Sequence, residues 1–173
     1  MKKFLFLFAF ISAVNFGFAQ QAKYVFYFIG DGMGVNQVQG TELYRGELEG
    51  KVGIVPINFA QFPYGTTATT FSATNRVTDS AAGGTALATG YKTSNGTIGM
   101  KKDHETDLNS IAKSAKEQGA RVGIATSVSV DHATPSSFYA LNSSYKCNGI
   151  HINNLFKFFV WCEVSKSFTR SII

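Results

Sequence analysis

Cysteine is absent from the first 146 residues of this 173-residue sequence, because the only two cysteines are Cys147 and Cys162. Most of the chain therefore has no thiol to act as a nucleophile or metal ligand, and we assign no disulfide, since two cysteines alone do not show that they pair. Proline is also scarce, with 3 residues, whereas hydrophobic residues make up 45% and charged residues 16% of the chain. This composition and length are typical of a single folded domain and exclude a disordered or fibrous protein.

Long apolar runs are missing except at the start of the chain. There, two lysines precede an apolar stretch over residues 4–14, which is followed by small residues up to Ala19. This layout predicts a signal peptide over residues 1–19 and export of the mature protein to the periplasm or the extracellular space. A membrane anchor is the alternative, but the stretch is shorter than the roughly 20 residues of a spanning helix and Asn15 interrupts it. We therefore expect no stable membrane anchor after cleavage.

A strong excess of one charge is also missing, since the formal net charge is +5. Proteins that bind nucleic acids cluster lysine and arginine on one face or along one helix. Between the signal peptide and residue 145, the only adjacent basic pair is Lys101–Lys102. Nucleic acid is therefore not an expected partner.

Apolar and β-branched segments predict the strands. Residues 23–30, with the sequence KYVFYFIG, form a continuous apolar run typical of a central parallel strand covered on both faces. Residues 66–72 and 121–130 also predict strands, the first less clearly because threonine favours loops as well.

Helical spacing of apolar residues predicts a helix over residues 106–118. Thr106 or Asp107 provides a cap at its start, and Gly119 suits the left-handed position after its end. Strand, helix and strand in this order indicate a mixed α/β architecture with a mainly parallel sheet.

The stretch VTDSAAGGTALATGYKTSNGT, residues 77–97, places Ser80 at the predicted start of another helix. The free N–H groups and dipole of a helix start favour an anion, such as an alkoxide or a phosphate. Gly83 and Gly84 allow close backbone approach but lower the stability of a helix. Two adjacent glycines there therefore indicate a packing or functional requirement. In the alternative interpretation, Asp79 and Ser80 only cap the helix and the glycines pack against a neighbouring strand.

Two further polar groups follow predicted strands. Asp31 lies in GDGMG, residues 30–34, and His132 and Thr134 lie in SVDHATPSS, residues 129–137. Asp31 also has a plain interpretation as a turn aspartate, and His132 as a solvated or hydrogen-bonded loop histidine. Because ligands bind beyond the carboxyl ends of parallel strands, we expect Asp31, Ser80 and an oxygen or imidazole donor, Thr134 or His132, to share one rim of the sheet.

Together, IGDGMG, the stretch over residues 77–97 and DHATPSSFYA resemble successive motifs of the alkaline phosphatase family, from Tyr24 to about Ser144. The resemblance implies a three-layer α/β/α sandwich with an alkaline-phosphatase-like fold. It also implies an exported, homodimeric enzyme that hydrolyses phosphate monoesters, with two zinc ions and one magnesium ion in each complete site.

The resemblance also implies a role for each matching residue. Ser80 corresponds to the nucleophile that becomes phosphoserine, and Asp31 to the carboxylate that bridges a zinc and the magnesium. Thr134 corresponds to a hydroxyl ligand of the magnesium, and His132 lies where family members have Asp or His beside that ion. Asp79 corresponds to the residue that orients a phosphate-binding arginine.

The chain departs from the family pattern beyond these motifs. Two zinc ions and a magnesium need several histidines and carboxylates, but the chain has 3 histidines, of which only His132 lies in a motif. Where the resemblance implies a histidine and the phosphate-binding arginine, this sequence has Leu141 and Tyr145. Neither side chain can bind phosphate as an arginine does.

Composition changes near the same point. We therefore divide the mature chain into the N-terminal part of an alkaline-phosphatase-like domain, residues 20–145, and an atypical tail, residues 146–173. A frame slip or truncation of the coding sequence would explain the tail. Within the tail, residues 155–164 also fit an apolar helix on the core or on a membrane surface. We expect an incomplete, weakly active or inactive phosphatase. The alternative is an exported fragment that binds phosphate without catalysis.

Overall fold

A computed structural model describes residues 22–144 and the backbone of residues 159–162. The chain divides into two compact units, Met1–Gly30 and Asp31–Ile173. The helices of the second unit are α1 (Val35–Leu48), a 3-10 helix (Asn58–Gln61), α2 (Ser80–Thr89), α3 (Ile111–Glu117) and α4 (Ala133–Ser136), and its strands are β1 (Gly123–Thr126) and β2 (Phe159–Cys162). None of these described helices is long and apolar enough to span a bilayer. The predicted signal peptide and most of the predicted tail lie outside the described residues.

Two of the predicted strands are wrong. Residues 23–30 and 66–72 belong to no strand, and side chains such as Phe28 (86% exposed) face solvent. Apolar and β-branched residues favour a strand only where a pleated sheet surface is available to cover their side chains. A strand also needs the hydrogen bonds of a neighbouring strand, and no segment within residues 22–144 supplies them here.

The third predicted strand exists but is shorter than residues 121–130. Its ordered part, β1, pairs in parallel with β2, so that Gly123 lies opposite Phe159. The pairing is parallel as predicted, but the partner strand lies within residues 146–173, the predicted atypical tail. The helical alternative for residues 155–164 is wrong at residues 159–162, where the backbone is a strand.

The helix predicted over residues 106–118 is also shorter. It begins after Ser110, whose side chain accepts the N–H of the third helical residue at 3.1 Å. The predicted caps Thr106 and Asp107 are wrong, because Asp103 accepts the backbone N–H of Thr106 at 2.9 Å and holds it in a turn before the helix. Because these side chains bond to the backbone before the helix, α3 begins at Ile111 and not at residue 106.

Small residues allow the close packing of α2 against α4. The core cluster contains Ala81 from α2, Ala133 from α4 and Ile98 from the loop between α2 and α3. A Cβ atom added to Gly84 would lie 2.5 Å from the hydroxyl oxygen of Ser137. Gly84 therefore packs against the α4 region. The alternative interpretation, in which the glycines pack against a neighbouring strand, is wrong for Gly84.

Candidate active site

The beginning of α2 has the geometry of an anion site. Asp79 is the N-cap residue, and its Oδ1 accepts the backbone N–H of Ala82 at 2.9 Å. Ser80 is the first residue of the helix and is half-buried. The prediction of a helix start at Asp79 or Ser80 is therefore confirmed. The dipole of the helix favours negative charge at this end.

Asp31 brings two distant hydroxyl groups together. Its Oδ2 accepts a hydrogen bond from Ser80 Oγ at 2.8 Å and another from Thr134 Oγ1 at 2.8 Å. These partners lie 49 and 103 residues away along the chain, so the contacts are tertiary. Both helix packing and the turn at Asp31 are needed to form this cluster, which we call the Asp31 cluster: Asp31, Ser80 and Thr134.

The Asp31 cluster orients Ser80 without ionising it. A carboxylate is a much weaker base than an alkoxide, so Asp31 alone does not remove the hydroxyl proton. Asp31 is exposed to solvent, and the three oxygen atoms of the cluster are of the kind that Mg²⁺ prefers. The chemistry of the donor set therefore fits a hard cation. Within the described residues, no group of three His, Cys, Asp or Glu side chains is placed to hold a metal.

His132 occupies the N-cap position of α4, two residues before Thr134, and its side chain makes no capping hydrogen bond. Its Nδ1 is buried and has no hydrogen-bond partner among the described residues. Thr93 Oγ1 and Asn95 Oδ1 are buried and unpaired in the same way, so this ring nitrogen could accept a water molecule or a cation but does not by itself identify either. No hydrogen bond among these residues links the ring to the Asp31 cluster, so the metal-binding role of His132 stays a prediction.

Sequence reasoning missed the turn that follows α2. Gly96 donates its backbone N–H to Asp79 Oδ2 at 2.7 Å, so each oxygen of this carboxylate accepts one backbone hydrogen bond. The adjacent Asn95 and Gly96 form a dipeptide that marks a turn, and this signal was available in the sequence. That Asp79 also orients an arginine stays a prediction.

The remaining positions singled out by sequence lie apart from the cluster or outside the described residues. His104 Nδ1 lies 2.8 Å from the carbonyl oxygen of Ser143 in an exposed loop. Leu141 is 38% exposed and bears no polar side-chain group for phosphate. Tyr145 and His151 lie outside the described residues.

The alkaline phosphatase family model matches residues 22–154. The chain belongs to the alkaline phosphatase family. It is 36% identical over 129 residues to the tissue-nonspecific alkaline phosphatases of Gallus gallus and Homo sapiens, a match that covers 69% of this chain and 25% of each relative. The chain thus spans about a quarter of the length of these curated alkaline phosphatases.

Solved alkaline phosphatases share the fold of the matched part. The cold-active enzyme of Shewanella sp. is 36% identical, with a TM-score of 0.60, and the match covers 67% of this chain and 29% of that one. The enzyme of the Antarctic bacterium TAB5 is 33% identical, with a TM-score of 0.53, over 62% of this chain and 29% of that one. Variants of the TAB5 enzyme have been solved with Mg bound in a site termed M3.

Proposed function

We propose that this alkaline phosphatase chain carries the nucleophile of a metal-dependent phosphate monoesterase, and that Ser80 becomes phosphorylated during turnover. The observation that carries the proposal is the pair of 2.8 Å hydrogen bonds through which Asp31 holds the hydroxyls of Ser80 and Thr134. Family membership supports the same reaction class. Exposure of Asp31 leaves this face open to a phosphate group.

Ser80 acts in two displacements. Its Oγ forms a bond to phosphorus while the bond from phosphorus to the ester oxygen breaks, and the leaving alcohol takes up a proton. Water then attacks the phosphoserine, which releases inorganic phosphate and restores the hydroxyl. The N-terminus of α2 stabilises the negative charge of the phosphate in both steps.

Asp31 and Thr134 would hold a magnesium ion through their oxygens, and His132, with its unpaired Nδ1, is proposed beside it. Bound metal ions lower the pKa of a coordinated hydroxyl and stabilise the leaving oxygen. Two zinc ions require more ligands than the described residues bring together. We therefore propose that zinc-dependent turnover by this chain is weak.

The proposal extends to the architecture and location of the protein. The complete fold is a three-layer α/β/α sandwich, to which residues 20–145 contribute the first part. Residues 1–19 direct export to the periplasm or extracellular space and are then removed. The assembled enzyme is a homodimer that acts on phosphate monoesters.

A turnover assay tests the proposed reaction. The purified chain is given p-nitrophenyl phosphate with zinc and magnesium, and we expect slow release of p-nitrophenol that Ser80→Ala abolishes. Ser114→Ala, which removes a serine hydroxyl within α3, serves as the control and should retain the rate. Equal turnover by Ser80→Ala and the unaltered chain would contradict the proposal.

A second candidate function is phosphate binding without catalysis. It is favoured by the lack of a three-ligand metal group among the described residues, together with the intact helix start at Ser80. Absent turnover combined with phosphate binding measured by calorimetry would support this function.

A further inference from the structure

The turn over residues 94–97 contacts the segment that leads into α2. Gly96 donates its backbone N–H to Asp79 Oδ2 at 2.7 Å. Asn95 donates its side-chain Nδ2 to the carbonyl oxygen of Val77 at 3.1 Å. Asn95 and Gly96 of the turn therefore hold Val77 and Asp79, which lie three residues and one residue before Ser80.

The same turn is anchored to α2 from its other side. It is closed by a 3.1 Å hydrogen bond from the N–H of Thr97 to the carbonyl of Ser94, and Gly96 has a φ of +79°, which favours glycine. The fully buried Thr97 accepts the hydroxyl of Thr85, a residue of α2, at 3.1 Å. The turn thus bridges the body of α2 and the segment that precedes it.

We propose that the turn over residues 94–97 is a positioning element for Ser80. It acts through the side-chain carboxylate of Asp79 and the backbone carbonyl of Val77, and so holds the segment on the N-terminal side of the nucleophile. Since the Asp31 cluster constrains only the hydroxyl, the turn supplies the separate constraint on the backbone. Small displacements of a reacting group are costly in rate, so such a constraint raises the rate of the chemical step. The inference rests on the proposed nucleophilic role of Ser80.

Asn95 is the residue through which the turn is best tested. Its Oδ1 is buried without a partner among the described residues, so its contact with this segment depends on the single bond from Nδ2. Asn95→Ala removes that bond and leaves the bond from Gly96 in place. Asn58→Ala, which removes an exposed asparagine side chain in the 3-10 helix, is the matched control.

The kinetic experiment separates positioning from binding. With p-nitrophenyl phosphate, zinc and magnesium, Asn95→Ala should lower kcat about threefold to tenfold, the factor that corresponds to one ordinary hydrogen bond, with KM unchanged. Asn58→Ala should change neither. An unchanged kcat in Asn95→Ala, or equal losses in both variants, would overturn the proposal.

A spectroscopic experiment decides the inference even if the chain shows no turnover, an outcome that would contradict the proposed function alone. The backbone amide resonances of Ser80, Ala81 and Ala82 should shift in Asn95→Ala and not in Asn58→Ala. If they stay in place, the turn does not position Ser80. Should Asn95→Ala fail to fold, Asn95→Ser replaces it, because serine also favours turns but is too short to reach Val77.

Discussion

Residues 51–77 and residues 79–144 belong to the same unit but are organised differently. The second region buries its central side chains, including Ala81, Ile98 and Ala133, and carries two of the three members of the Asp31 cluster. The first region exposes large apolar side chains: Val52, Ile54, Phe59, Phe62, Tyr64, Phe71 and Val77. Apart from Asp31 and Val77, the residues that support the nucleophile lie within residues 79–144. The comparison also shows that an apolar sequence does not by itself produce burial.

The largest expected difference concerns apolar side chains in the two regions. Ile98 is 0% exposed, so Ile98→Ala should lower the free energy of unfolding by about 2–4 kcal/mol through lost burial and a cavity. Phe62 is 66% exposed, so Phe62→Ala should change it by less than about 0.5 kcal/mol. Urea denaturation measures both values. Equal losses in the two variants would remove the contrast between the regions.

The two adjacent glycines of α2 provide a finer comparison within residues 79–144. A Cβ on Gly84 would lie 2.5 Å from Ser137 Oγ. That hydroxyl donates a hydrogen bond to the carbonyl oxygen of Ala133 at 2.9 Å, so it cannot rotate away without losing this bond. Gly84→Ala should therefore destabilise the chain by about 1–3 kcal/mol.

Gly83 is the matched control. A Cβ there has only ordinary contacts with Thr78, the nearest at 3.6 Å, so Gly83→Ala should stabilise α2 by up to about 1 kcal/mol. Thermal unfolding followed by circular dichroism measures both variants. Stabilisation by Gly84→Ala would show that α2 and α4 are not closely packed.

Thr134 tests how the second region supports the site. Thr134→Val keeps the shape of the side chain and removes the hydroxyl that Asp31 accepts at 2.8 Å, whereas Thr134→Ser keeps the hydroxyl. We expect Thr134→Val to weaken magnesium binding by about tenfold, as for the loss of a hydrogen bond near a charge, and Thr134→Ser to change it little. Calorimetric titration with Mg²⁺ gives the affinities. Similar affinities for the two variants would contradict the role of the hydroxyl.

The smallest effect is expected at an exposed turn of the second region. Hydrogen bonds from Thr106 and Glu105 lower the pKa of Asp103 from 3.8 to about 2. Because the folded-state pKa is lowered, the stabilisation is complete above pH 3.8 and is lost as the pH falls through about 2. The amide resonance of Thr106 should follow this titration. A midpoint near 3.8 would contradict these hydrogen bonds.

Sequence reasoning identified the start of α2 and the residues of the Asp31 cluster because their signals are local. A cap, a Gly-rich turn and a hydroxyl near a proline are visible within a few residues. The strands predicted over residues 23–30 and 66–72 were wrong because pairing depends on a distant partner that composition does not reveal. The Asn95–Gly96 dipeptide marks a turn, but its partner could not be predicted, because the residue types do not show that the N–H of Gly96 bonds to Asp79.

Trapping the phosphorylated chain tests the central claim that Ser80 is the nucleophile. The protein is mixed with p-nitrophenyl phosphate, zinc and magnesium, quenched with acid, digested and mapped by mass spectrometry. The account predicts phosphate on Ser80 and none in the Ser80→Ala variant. Phosphate on a different serine, in amounts that Ser80→Ala does not change, would contradict it.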